Sequence, residues 1–175
     1  MTQLALAERS GLPDALRVLL AEYPRDIWES DPGFDGLIRF WLDRHMMFRR
    51  VVADMQSDAQ KFIDGRFETD QYASRLSRLG GMFVNGLHEH HTIEDTYYFP
   101  KLATKDARIE GGFAILDKDH HDIDALLNKF VGTANDVLNA RDKKPAMKNA
   151  TGQFEAELAV LERLLNRHLN DEEEL

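Results

Sequence analysis

Four long stretches of this chain place apolar residues in alternating steps of three and four, the spacing of one face of an α-helix. The first, helix A, covers about residues 35–64 with Ile38, Trp41, His45, Phe48, Val52, Met55, Ala59 and Phe62 on its stripe. Helix B runs from near Asp70 to a stop at Phe99-Pro100, with Tyr72, Leu76, Leu79, Phe83, Leu87, His90, Glu94 and Tyr97 facing inward. Helix C spans about residues 109–140 through Phe113, Leu116, His120, Ile123, Leu127, Phe130, Ala134 and Val137. Helix D spans about 146–175 through Phe154, Leu158, Leu161, Leu165, His168, Glu172 and Leu175. Gly80-Gly81 interrupts helix B, either a soft spot of roughly 1–2 kcal/mol or a place where another helix comes close.

Residues 1–34 read as a partly helical N-terminal extension. Leu12-Pro13-Asp14 starts a short helix through Leu20, and Asp31-Pro32-Gly33 is a turn. Stripes of similar length with short connections predict an all-α fold, an antiparallel up-down four-helix bundle over residues 35–175.

Each stripe carries one histidine where a leucine would be expected: His45, His90, His120 and His168. Three have a carboxylate one turn later, Glu94, Asp124 and Glu172. Buried polar groups need partners and buried charges need compensation, and a metal supplies both. In an up-down bundle the start of A lies level with the end of B, the start of C and the end of D. At 1.5 Å per residue the four histidine offsets agree within about one turn, so the rings are expected in one layer near one end.

Residues at i and i+4 share a helix face, about 6 Å apart, so each pair can grip one ion or adjacent members of a pair. Four imidazoles and three carboxylates suit two ions, and this ligand set without thiolate suits iron, manganese or zinc. Whether His91, paired with Asp95 in a competing register, or Glu173 in place of Glu172 joins the site stays open. His88 and His121 read as flanking groups, and Asp171, Glu173 and Glu174 as a solvated tail.

Composition narrows the partners. The 175 residues suit one domain with a substantial core. A net charge of −9 argues against nucleic acid. With no cysteine, disulfides, thiolate sites and thiol nucleophiles are excluded. No apolar run reaches the roughly 20 residues of a membrane span. The start MTQLALAERS lacks a secretory signal, so a cytoplasmic location is expected. Oligomeric state is not legible.

The run His90-His91-Thr92-Ile93-Glu94-Asp95 followed by Tyr98-Phe99-Pro100 resembles the signature of the hemerythrin-like (HHE cation-binding) family. Asp119-His120-His121 with Ile123-Asp124-Ala125-Leu126-Leu127, and His168 with Asp171-Glu172-Glu173-Glu174, match its later motifs, so the resemblance covers about residues 36–175. It implies a four-helix bundle holding two iron ions with oxo, hydroxo or carboxylate bridges. By the resemblance His45, His90, His120 and His168 would be ligands and Glu94 and Glu172 bridges; Asp124, a further ligand on helix C, comes from its i+4 spacing to His120. The small ligand implied is oxygen, peroxide or nitric oxide, bound, sensed or turned over; an iron-handling or regulatory module without turnover is the alternative. Oxygen-carrying members place a second histidine on helix C where this chain has Asp124, which points away from reversible oxygen carriage.

Overall fold

The computed structural model describes residues 4–34 and 36–175, and every regular element among them is helical. The helices are α1 (Val18–Glu22), α2 (Gly36–Ile63), α3 (Thr69–Ile93), α4 (Phe99–Ala103), α5 (Glu110–Asn139) and α6 (Lys144–Glu174). Two 3₁₀ segments, Asp14–Leu16 and Arg25–Ser30, flank α1. The expected start of helix A at Asp35 lies outside the described residues, as do the first three residues of the extension. No described helix is long and apolar enough to cross a membrane.

The end of α2 shows how local chemistry sets a boundary. Gly65 adopts φ 76°, a left-handed conformation open to glycine without a Cβ penalty. Its N–H donates to the Phe62 carbonyl at 3.0 Å and that of Arg66 to Lys61 at 2.8 Å, the paired bonds of a Schellman stop.

The expected stop of helix B at Phe99-Pro100 is corrected. The chain passes from α3 through a π-helical turn, Glu94–Tyr98, into α4, with Pro100 in the first turn of α4. Proline lacks an N–H, and in a continuous α-helix its ring would strike the carbonyl four residues back, at Thr96. The wider π turn accommodates it and inserts one residue into the register. Tyr97, expected inward, is therefore 68% exposed, and Phe99 is buried in its place.

By compactness the chain forms two units. One takes the chain up to Met47, His90–Asp122 and Leu164–Leu175; the other takes Phe48–Glu89 and Ile123–Arg163. Each long helix contributes to both.

The second unit has a mainly apolar interior, with Asp58 and Thr151 among its buried residues. Phe48 meets Phe83 at 6.2 Å between ring centroids, Phe83 meets Phe130 at 5.6 Å, and Phe130 meets Phe154 at 5.4 Å. These buried rings lie on the expected stripes of all four long helices, and burying each stabilises the fold by roughly 1.5–3 kcal/mol.

The first unit is of mixed character. Phe99, Ile109, Phe113 and Leu116 form an apolar cluster, packed by Val18 and Leu19 from α1 and by Leu175. The extension thus belongs to the same compact unit. Leu6, Leu12, Leu165 and Leu169 are buried in this unit too, beside a polar group of five imidazoles and two carboxylates: His45, His90, His91, His120, His168, Glu94 and Glu172.

Candidate metal centre

Two groups of side chains in the first unit each bring their ligand atoms within 4.8 Å of one another: His45, His90, Glu94 and Glu172 in one, His91, His120 and His168 in the other. α2 supplies His45, α3 supplies His90 and His91, and the π turn supplies Glu94. α5 supplies His120, while α6 supplies His168 and Glu172. His45 Nε2 faces His90 Nε2 at 3.1 Å, and His120 Nε2 faces His168 Nε2 at 3.2 Å.

Two carboxylates span the groups. Glu94 places Oε1 3.0 Å from His90 Nε2 and Oε2 3.6 Å from His120 Nε2. Glu172 Oε2 lies 3.4 Å from His45 Nε2 and 3.7 Å from His168 Nε2.

The far side of three rings is held by further carboxylates. The Nδ1–H of His45 donates to Glu173 at 2.9 Å, that of His120 to Asp95 at 2.7 Å, and that of His168 to Asp119 at 3.3 Å. An ionised carboxylate only accepts, so these bonds leave the proton on Nδ1 and a lone pair on Nε2. His120 and His168 then point lone pair at lone pair. Burial holds the pKa of both rings below the ordinary value, so a shared proton does not relieve the contact. A cation between the nitrogens does. Carboxylate to Nδ1–H and metal on Nε2 is the usual arrangement of a metal-ligating histidine, and the residues present fit a metal.

The remaining electrostatics agree. Burial lowers His90 to about 4 and pushes His91 well down. Burial also raises Glu94 to about 7, and Glu172 rises well above the carboxylate range through burial and then the charge of Glu94. Neither ring nitrogen of His91 has a hydrogen-bond partner among the described residues, and its ring stacks on His120 at 3.9 Å between centroids. A desolvated centre with neutral imidazoles and protonated carboxyl groups is what a metal-free ligand set looks like at low dielectric.

Of the seven residues expected from sequence, the structure brings six together: His45, His90, Glu94, His120, His168 and Glu172. Asp124 is corrected. It belongs to the second unit and is exposed, because Ile123, one step before it on α5, takes the buried position. His91 enters beside His90, so the two registers of helix B are not exclusive. Glu173 and Asp171 are not a solvated tail. Glu173 serves His45 and accepts from Arg25 at 2.9 Å, and Asp171 is fully buried.

Asp171 accepts from Arg9 Nε at 2.7 Å, from Arg167 Nη2 at 2.5 Å and from the Leu12 N–H at 3.2 Å. The same Arg9 guanidinium holds Asp119 behind His168. No sequence signal marks Arg9. The Asp95 and Asp119 roles had a partial one, since each lies within or beside a histidine motif. His88 and His121 are exposed, as expected of flanking groups.

No curated protein and no solved structure matches the chain in comparison. A family model does: the hemerythrin HHE cation-binding domain, over residues 36–175. That span contains both ligand groups and the two carboxylates between them, and this chain belongs to the hemerythrin HHE cation-binding domain family.

Proposed function

We propose that the first unit holds a pair of iron ions and that through them the protein binds, senses or reacts with oxygen, peroxide or nitric oxide. The observation that carries this is the span of Glu94 and Glu172 across both ligand groups. One ion would take His45 and His90, the other His91, His120 and His168, with the two carboxylates between. When bound, such a pair supplies a redox-active, Lewis-acidic site for a small diatomic or peroxide ligand.

The chain's own residues do the rest. Glu173, Asp95 and Asp119 hold three imidazoles in one tautomer and orientation. Trp41, whose ring lies 4.6 Å from that of His90, and Phe99, 5.4 Å from His120, shield those two imidazoles. We infer further that α2, α3, α5 and α6 run as an antiparallel up-down bundle. Inward stripes on four helices of 25–31 residues support this.

Elemental analysis after aerobic loading, read beside the absorption spectrum, tests the metal reading. The expected result is roughly two iron ions per chain, one for each group, and an absorption change on adding peroxide or nitric oxide. Less than one iron per chain, or manganese or zinc in its place, overturns it. A second reading, metal-dependent regulation without turnover, is favoured by Arg9, which ties the extension to Asp119 and Asp171. Turnover assays on loaded protein separate the two.

A further inference from the structure

A cavity of about 510 Å³ opens in the first unit and ends on His45 and Glu172. Its walls are apolar and largely aromatic: Trp28, Phe34, Ile38, Trp41, Tyr98 and Leu102. A diatomic or peroxide needs little more than the roughly 30 Å³ of a water molecule. Small organic ligands occupy sites of roughly 300–1,000 Å³, mostly apolar with a few polar groups at one place. The cavity has the second size and the second lining.

Its apolar wall is open to solvent in the free protein. Leu37 is 47% exposed, Ile38 43%, Leu102 42% and Tyr23, also on the lining, 50%. A bound apolar molecule would cover them, and apolar surface removed from water favours binding in proportion to its area.

The carboxyl groups facing the cavity are Asp31, Glu172 and Glu173. Arg25 lies over Trp28 at 4.9 Å, but its guanidinium is committed to Glu173 at 2.9 Å. Arg39 lies over the Phe34 ring at 5.1 Å but is not part of the lining, so an anionic ligand meets Asp31 and Glu173 with no cation among the described lining residues to receive it. The His45 side chain at the inner end is 2% exposed, out of reach of a protein surface but not of a small molecule.

We propose that this cavity binds a neutral, largely apolar organic molecule of one or two rings, seated against the His45 and Glu172 end of the metal centre. That it lies beside a metal rests on the proposed function; the binding itself does not.

Both tryptophans of the chain, Trp28 and Trp41, line the cavity, so tryptophan emission reports its occupancy. Metal-free and metal-loaded protein are titrated with 4-nitroanisole, a neutral single-ring quencher, and metal-free protein also with the 4-nitrobenzoate anion. Expected are saturable quenching by 4-nitroanisole in both forms and at least tenfold weaker binding of the anion. Ile38→Glu and Leu102→Glu, both at half-exposed positions that tolerate a charge, should each weaken 4-nitroanisole binding at least tenfold. Val160→Glu, an exposed position on α6 away from the cavity lining, should leave it unchanged.

Linear, non-saturating quenching overturns the proposal, as does equal binding by the two cavity variants and wild type. Concentration-dependent association in light scattering that abolishes quenching also overturns it, since a second copy then covers the cavity. Iron content is measured on the same samples. Saturable quenching without iron supports the cavity and removes the metal reading, whereas iron with linear quenching does the reverse.

Discussion

Arg9 grips Asp119 with both terminal nitrogens of its guanidinium across 110 residues of chain, Nη1 to Oδ1 at 2.8 Å and Nη2 to Oδ2. Asp119 in turn accepts the His168 Nδ1–H, so one side chain of the N-terminal extension stands two contacts from the metal centre. Both partners are buried.

Removing Arg9 should therefore cost more than a surface ion pair. Arg9→Met leaves Asp119 a buried carboxylate without its cation, while Asp171 keeps Arg167 and the Leu12 N–H, and breaking a buried pair costs roughly 3–5 kcal/mol. Arg9→Lys should restore only part of this, because an ammonium cannot reproduce the forked contact. Urea denaturation of the metal-loaded protein, with metal content measured alongside, checks both. A loss under 1 kcal/mol for Arg9→Met would show the contact to be dispensable.

His120→Ala separates a metal ligand from a core histidine. In the metal-free protein it relieves the 3.2 Å contact of two lone pairs with His168, so the melting temperature should hold or rise. In the loaded protein it should fall, since metal bound to the folded state adds stability that the variant forfeits. Thermal melts of both forms, with and without metal, give the four numbers needed. A similar drop in both forms would assign His120 to packing alone.

Asp124→Asn makes the opposite prediction. The side chain is exposed on α5, so metal content should be unchanged and stability within about 0.5 kcal/mol of wild type. A loss of one metal ion per chain would return Asp124 to the site.

Metal-free protein should be most stable near neutral pH. His90 falls from its ordinary 6.5 to about 4 on folding, so its contribution is present above pH 6.5 and lost as pH drops toward 4. His91, His120 and His168 shift the same way. Glu94 rises from 4.5 to about 7, so its contribution is present below pH 4.5 and lost as pH climbs through 7; Glu172 shifts likewise. Four imidazoles outweigh two carboxyls below pH 6.5, and the carboxyls dominate above it. Calorimetric melts from pH 5 to 8 should show a maximum between about 6.5 and 7, and a melting temperature rising steadily to pH 8 would refute this balance.

Gly81→Ala should stabilise the fold by roughly 0.5–1 kcal/mol, measured by denaturant midpoint, because alanine is the better helix former. A Cβ at Gly81 meets nothing within 4 Å, while one at Gly80 meets the Phe130 ring at an ordinary 3.5 Å. The pair is a soft spot of α3 rather than a site that demands glycine.

The periodic stripes alone determined that the described chain is helical, which residues of the aromatic core turn inward, and that His45, His90, His120 and His168 share the buried faces with Glu94. A helix's own period is enough for that, because a large apolar side chain has one favourable direction, away from water. Only the tertiary structure decided among neighbouring directions. His91 is buried as well as His90, Ile123 rather than Asp124 takes the inner position on α5, and the π turn forced before Pro100 sends Tyr97 outward and Phe99 inward. Asp171 and Glu173 look solvated from their local sequence and are buried because Arg9 and Arg25, far away in the chain, come to meet them. A polar side chain settles where its partner is, and partners more than a hundred residues apart leave no trace in local spacing.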